Sequence, residues 1–131
     1  MEAATDNAKT ERNDNSSRFG KFAQLQFDSS GFLIGARCET YLLEKSRVVG
    51  QALGERNYHI FYQILSLPQE DRSIYFLDGC VEDYKFVRAG AETRIPDSQL
   101  FQQTKDSMDV IGIEDTEQRG IFEIVAGILN L

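Results

Sequence analysis

The sequence predicts an α/β chain in which one β-hairpin near the start is followed mostly by α-helices. Two runs of period-two alternation flank a Gly-containing turn between Lys21 and Tyr41. Beyond Tyr41 the apolar residues recur at helical spacing instead. Nine Phe, five Tyr and a hydrophobic share of 41% in 131 residues supply enough apolar surface for a core, which excludes wholesale disorder. The length suits one domain, or part of a larger one.

Residues 2–10, EAATDNAKT, favour helix and read as the tail of one. Asn13 to Ser17 interrupt it, because short Asn, Asp and Ser side chains compete for nearby backbone groups. From Lys21 onward Ala23, Leu25 and Phe27 point one way, and Phe22, Gln24 and Gln26 the other. DSSG (Asp28–Gly31) is a compact turn, and the return run alternates from Phe32 to Tyr41. Gly35 and Ala36 lighten its middle, which predicts a bulge or a close neighbour there. LLEKSRVVGQ is a short amphipathic segment, and Gly54 separates it from ERNYHIFYQILS. In that second helix Tyr58, Phe61, Tyr62 and Leu65 fall at i, i+3, i+4 and i+7, one apolar stripe ended by Pro68. Residues 69–86 read as short helices around an Asp78-Gly79 turn, and 87–96 as loop. Asp97 is the predicted N-cap of a helix running to about Ile111, with Gly112 beyond its end. Asp115 with Gln118 resembles a capping box for a last helix carrying Ile121, Ile124, Val125, Ile128 and Leu129 on one side.

Fourteen basic against 21 acidic residues give a net charge of −7, with no Lys/Arg run long enough to hold a polyanion. Nucleic acid and anionic membrane surfaces are therefore excluded as partners. No apolar stretch reaches the roughly 20 residues of a membrane-spanning helix, and MEAATDNAKTERNDN lacks the apolar centre of a signal peptide. Cys38 and Cys80 lack metal-site spacing, so reduced thiols in a cytosolic setting are expected.

The stretch NDNSSRFGK (Asn13–Lys21) carries the most chemistry. Hydroxyl and amide side chains allow close backbone approach to a charged ligand and donate to phosphate oxygens. A Ser oxygen suits a hard cation such as Mg²⁺. Arg18 offers a planar fork for a carboxylate or phosphate, and Gly20 permits close approach. The same residues also suit a capped, solvated turn with Arg18 in a surface ion pair.

NDNSSRFGKF resembles the switch I loop of the myosin motor domain. The likeness continues through NAKT (Asn7–Thr10), ETYLLEKSRVV (Glu39–Val49), GERNYHIFYQIL (Gly54–Leu65) and IFEIVAGILNL (Ile121–Leu131), in order along nearly the whole chain. It departs at Glu2–Asp6, where the family usually has a shorter Glu-Ala-hydrophobic-Gly stretch, and at Gly50, where a larger residue is frequent. The resemblance implies part of a P-loop NTPase-type motor: a helix end over 1–12, switch I running into a strand over 13–21, the transducer hairpin of the central sheet over 22–42, and a helical part of the upper 50 kDa subdomain over 43–131. It implies that Asn13 lies against the nucleotide phosphates, and that Ser16 holds the γ-phosphate region and the attacking water. Ser17 would offer its hydroxyl to Mg²⁺, and Arg18 would pair with a switch II glutamate on closure, so that Ser16 and Arg18 take the catalytic roles. The implied setting is an ATP-driven, cytoplasmic, cytoskeletal myosin complex, with actin filaments and light chains as partners of the whole protein. No G-x-x-x-x-G-K-[ST] phosphate cradle and no switch II string occur in this chain. A fragment inactive by itself is therefore expected.

Other residues have plainer readings. His59, the only histidine, sits in an aromatic helix and reads as packed structure. Tyr58, Phe61 and Tyr62 read as core, and Glu114, Asp115 and Glu117 as acids favoured at a helix start. Glu44, Lys45 and Arg47 read as a solvated face. Cys38, on the apolar side of a predicted strand, reads as inert. The rival to a motor segment is a non-catalytic acidic α+β module that binds a protein partner.

Overall fold

The structure, a computed structural model, describes residues 7–14, 16–17, 20–41, 49–87 and 93–131. Two short strands, β1 (Asn7–Ala8) and β2 (Ser16–Ser17), pair antiparallel. The helical tail expected over 2–10 is therefore not found at Asn7–Ala8, where the backbone pairs across the loop instead. A longer hairpin follows, β3 (Gly20–Phe27) against β4 (Leu33–Tyr41). Asp28 closes its turn by accepting the Ser30 and Phe32 N–H groups at 2.9 Å each, and Gly31 there takes a φ of +82°. Register runs from Gly20↔Tyr41 to Gln26↔Gly35 and then slips to Phe27↔Leu33, so Ile34 is the extra residue of a bulge. A Cβ on Gly35 would stand 3.0 Å from Gln26 Oε1. Both parts of the expectation for this place, bulge and close neighbour, are met.

The hairpin lacks a buried face. Every residue of β3 is exposed, and Cys38, expected on a covered side, is exposed too. The alternation of the strand is real, but no other described element covers the side it prepares. Of the LLEKSRVVGQ segment, residues 42–48 lie outside the described residues.

The core belongs to the helices: α1 (His59–Leu65), α2 (Gln69–Ser73), a 3-10 turn (Val81–Asp83), α3 (Asp97–Val110) and α4 (Asp115–Leu129). All seven residues of α1 are buried, so its expected stripe is widened by Ile60 and Ile64. Phe122 packs on Phe101 at 5.0 Å and on the Tyr75 ring edge at 6.4 Å. On α4 the buried line is Gln118, Phe122, Val125, Ala126 and Leu129, while Ile124 is 68% exposed. Of the expected stripe Val125 and Leu129 are buried and Ile121 and Ile128 pack partly buried against the core, while Phe122 takes the inward place expected of Ile124. Two cap assignments move by one residue. Pro96 holds the N-cap place of α3 and Asp97 begins the helix. Glu117 accepts the Glu114 N–H at 3.2 Å, so the box of α4 starts at Glu114. Gly112 ends α3 as expected: its φ is +80°, and Gly112 and Ile113 donate back to Asp109 and Met108 at 3.0 Å each.

Candidate functional site

The polar loop is held at its root. Asn7 pairs with Ser17 and Ala8 with Ser16, which brings both ends of the 9–15 segment together. Inside it, Thr10 N–H donates to the Asn13 carbonyl at 2.8 Å, and the Thr10 hydroxyl accepts the Asn13 N–H at 3.1 Å. Lys9 Nζ meets Asp14 Oδ1 at 2.6 Å across the same turn. That bond, the largest cause, holds the Asp14 carboxyl below its ordinary value of 3.8.

The chain just before α1 fastens this root to the core. Arg56 N–H donates to the Lys9 carbonyl at 3.0 Å, and Ala8, fully buried, bridges antiparallel to Tyr58. Asn57 is also fully buried and spends its polar atoms on backbone: Nδ2 donates to Phe86 O at 2.8 Å and Oδ1 accepts Tyr58 N–H at 2.8 Å. These buried bonds explain why the sequence folds tightly at this point despite its polar residues.

Arg56 also reaches the start of α3. Its guanidinium, 3% exposed, donates to Asp97 Oδ2 at 2.7 Å and to Thr93 Oγ1 at 3.2 Å. It lies 3.7 Å over the Tyr62 ring. Asp97, expected as an N-cap, is instead the partner of a buried cation. Arg94 Nε approaches the other oxygen of Asp14 at 3.3 Å from an exposed position. His59 lies near these groups, buried, with Nδ1 lacking a hydrogen-bond partner. Burial first, and the Arg56 charge second, lower its pKa below the ordinary 6.5.

Of the residues singled out from sequence, Asn13 is exposed and Ser16 half-buried. Asn13, Ser16 and the backbone of Ser17 are gathered in one loop; the Ser17 side chain and all of Arg18 lie outside the described residues. A cavity of about 650 Å³ opens beside the root, between Asn13, His59, Gln63 and Thr104. Its lining includes Asn13 but not Ser16, and it carries the acids Glu11 and Asp14. Among the described residues no group of three His, Cys, Asp or Glu could hold a metal. A divalent cation here would need hydroxyl, phosphate and water oxygens, a donor set that suits Mg²⁺. No helix among the described residues is long and apolar enough to cross a membrane.

Sequence reasoning missed Lys9, Asp14, Arg56 and Asp97 as a group. Their partners lie five and 41 positions apart, and no local pattern announces the longer pairing. The one available signal was an arginine directly before an apolar helix, where a cation needs a partner once buried.

The chain is a member of the myosin head (motor domain) family, which matches it over residues 1–131. Among individual relatives, unconventional myosin-Vb of Mus musculus is 47% identical over 131 residues, covering 98% of this chain and 7% of the relative. Myosin-2 of Lachancea kluyveri is 47% identical, covering 95% and 8%. Unconventional myosin IC of Drosophila melanogaster is 50% identical, covering 95% and 12%. The chain thus spans a small part of the length of these relatives. Membership leaves the stand-alone interaction module without support.

Proposed function

We propose that this segment supplies the switch I loop of an ATP-driven, actin-based myosin motor of P-loop NTPase type. The observation that carries the reading is the closed root: β1–β2 pairing and the Thr10–Asn13 turn gather Asn13, Ser16 and Ser17 in one polar loop. Family membership supports the same reading. Asn13 would donate to the phosphates, Ser16 would order the γ-phosphate region and the attacking water, and the Ser17 hydroxyl would help to hold Mg²⁺. Bound Mg²⁺ supplies charge neutralisation at the phosphates. Arg18 closes the site by pairing with a carboxylate from outside this chain. Phosphoryl transfer depends mainly on positioning and charge stabilisation, which a short polar loop on a stiff root can provide.

The β3–β4 hairpin belongs, on this reading, to the transducer of the central sheet, and its apolar side chains meet further strands of the whole protein. Actin contacts, light chains and a cytoskeletal location are properties of that whole protein. The test is kinetic. In the complete protein, Ser17→Ala raises the Mg²⁺ concentration needed for half-maximal turnover, whereas Arg18→Ala lowers kcat with little change in that concentration. A misplacement of catalytic groups by a change away from the reacting atoms can cost about 10² in rate, so a fall in kcat of that order is expected for Arg18→Ala, which leaves the site open. Wild-type turnover and Mg²⁺ dependence in both variants would remove the assignment. The 131-residue chain alone is expected to show no Mg²⁺-dependent ATP turnover.

A further inference from the structure

Arg56 is the one described residue that binds the loop root through its main chain and the start of α3 through its side chain. The main-chain N–H holds Lys9 O at 3.0 Å, and the guanidinium holds Asp97 and Thr93 at 2.7 and 3.2 Å. Between these two, Arg94 returns to the loop and meets Asp14 at 3.3 Å. The Thr93–Asp97 segment therefore touches the loop root twice, once directly at Asp14 and once through Arg56. We propose that this segment is a strut that couples the seating of the Asn13–Ser17 loop to the position of α3, and that Arg56, Asp97 and Asp14 are positioning residues for nucleotide binding. The proposal rests on the switch I reading and adds to it how the loop is held in place.

The two ends of the strut differ in kind. At the Arg56 end the cation is 3% exposed and the Asp97 side chain 24% exposed. Separating them would leave a charge in a poorly solvated place, so this end stays closed when α3 shifts. At the Asp14 end the Arg94 side chain is 93% exposed, and such a contact opens and closes easily and weakens in salt. One end is a hinge and the other a latch. Movement of α3 against the core then has two outcomes: it carries the loop root with it, or it opens the latch and releases Asp14 to Lys9 alone. Either outcome changes how Asn13 and Ser16 are presented without a change in the loop's own sequence.

The test uses the complete protein that carries this chain and compares Asp14→Asn, Asp97→Asn and the double variant, both substitutions being near-isosteric. KM for Mg²⁺-ATP, kcat and the thermal midpoint are measured for each. A strut predicts that each single variant raises KM at least about fivefold, within the range usual for coupled sites, at a kcat changed much less. It predicts also that the double variant is poorer than the product of the two single effects, because each single variant keeps the segment's other attachment to the loop. Unchanged KM in both folded variants, or effects that do no more than multiply in the double, overturn the proposal. A fall in thermal midpoint with unchanged KM likewise assigns these residues to stability alone. Should Asp97→Asn fail to fold, Arg94→Gln at the exposed end decides: KM rises about twofold at low salt and the difference vanishes at high salt. An unchanged KM at low salt overturns the latch. Ser17→Ala keeps its effect on Mg²⁺ dependence in every one of these outcomes, so failure of the strut and failure of the switch I reading are told apart.

Discussion

Leu25 and Phe27 on β3 are 53% and 57% exposed, whereas Ile64 on α1 and Phe122 on α4 are 0% and 2% exposed. Both pairs sit in stretches whose apolar periodicity predicts a buried side, although Ile64 and Phe122 themselves lie beside the stripes expected there. In the helical part the second element that completes burial is supplied within the chain, by α3 and α4 closing on α1. In the hairpin no described element does so, and the strand faces carry their apolar groups outward. The difference teaches that a pattern specifies which side of an element is prepared for burial, while cover depends on what the rest of the protein brings. The polar loop belongs to the first kind of region at its root and to the second at its tip: Ala8 is fully buried, whereas Asn13 is exposed.

The largest effect should come from Phe122→Ala. Removing a fully packed ring between Phe101 and Tyr75 costs about 3–5 kcal/mol, read as a shift of the urea midpoint of the 131-residue chain. A loss below about 1 kcal/mol would mean that the Phe122 ring is not part of a packed helical core.

A smaller effect concerns pH. Burial lowers the folded pKa of His59 below 6.5, so the unfolded chain binds its proton more readily than the folded one. Its contribution is therefore whole above about pH 6.5 and is lost as pH falls below that value toward the folded pKa. His59→Gln should flatten the fall in thermal midpoint between neutral and mildly acidic pH. An equally steep fall in the variant would assign the dependence to other groups.

Smallest of all is Leu25→Ala, which should move the stability of this chain by no more than about 0.5 kcal/mol. In the complete protein the same change should cost about 2 kcal/mol or more, because the proposed sheet covers that face. Equal, small losses in both settings would break the transducer assignment.

Much of the fold was legible because its signals are local. The hairpin, its Asp28 turn, the light spot at Gly35 and the Gly112 stop all follow from residues within a few positions of one another. What was missed involves a choice between neighbouring residues or a distant partner. On α4 both Phe122 and Ile124 are apolar, and only packing on Phe101 and Tyr75 selects Phe122. Asp97 satisfies the composition of a cap, yet Arg56, 41 positions earlier, claims its carboxylate. At Asn7–Ala8 the helix preference of the preceding residues yields to pairing with Ser16–Ser17, a tertiary gain that propensity does not register. The proposed site is a reading of the chemistry of Asn13, Ser16, Ser17 and Arg18, of which the structure describes Asn13, Ser16 and the Ser17 backbone. Its support through Lys9, Asp14 and Arg56 was not legible, since ion pairs leave no periodicity.

The central claim is that the Asn13–Ser17 loop grips the phosphate end of a Mg²⁺-nucleotide. A crystal structure of the complete protein with a non-hydrolysable ATP analogue and Mg²⁺ tests it most directly. The account predicts the Ser17 hydroxyl at about 2.0–2.1 Å from Mg²⁺ and the Asn13 and Ser16 side chains within hydrogen-bond reach of phosphate oxygens. A loop turned away from the bound nucleotide, with the metal held by other residues, would contradict it.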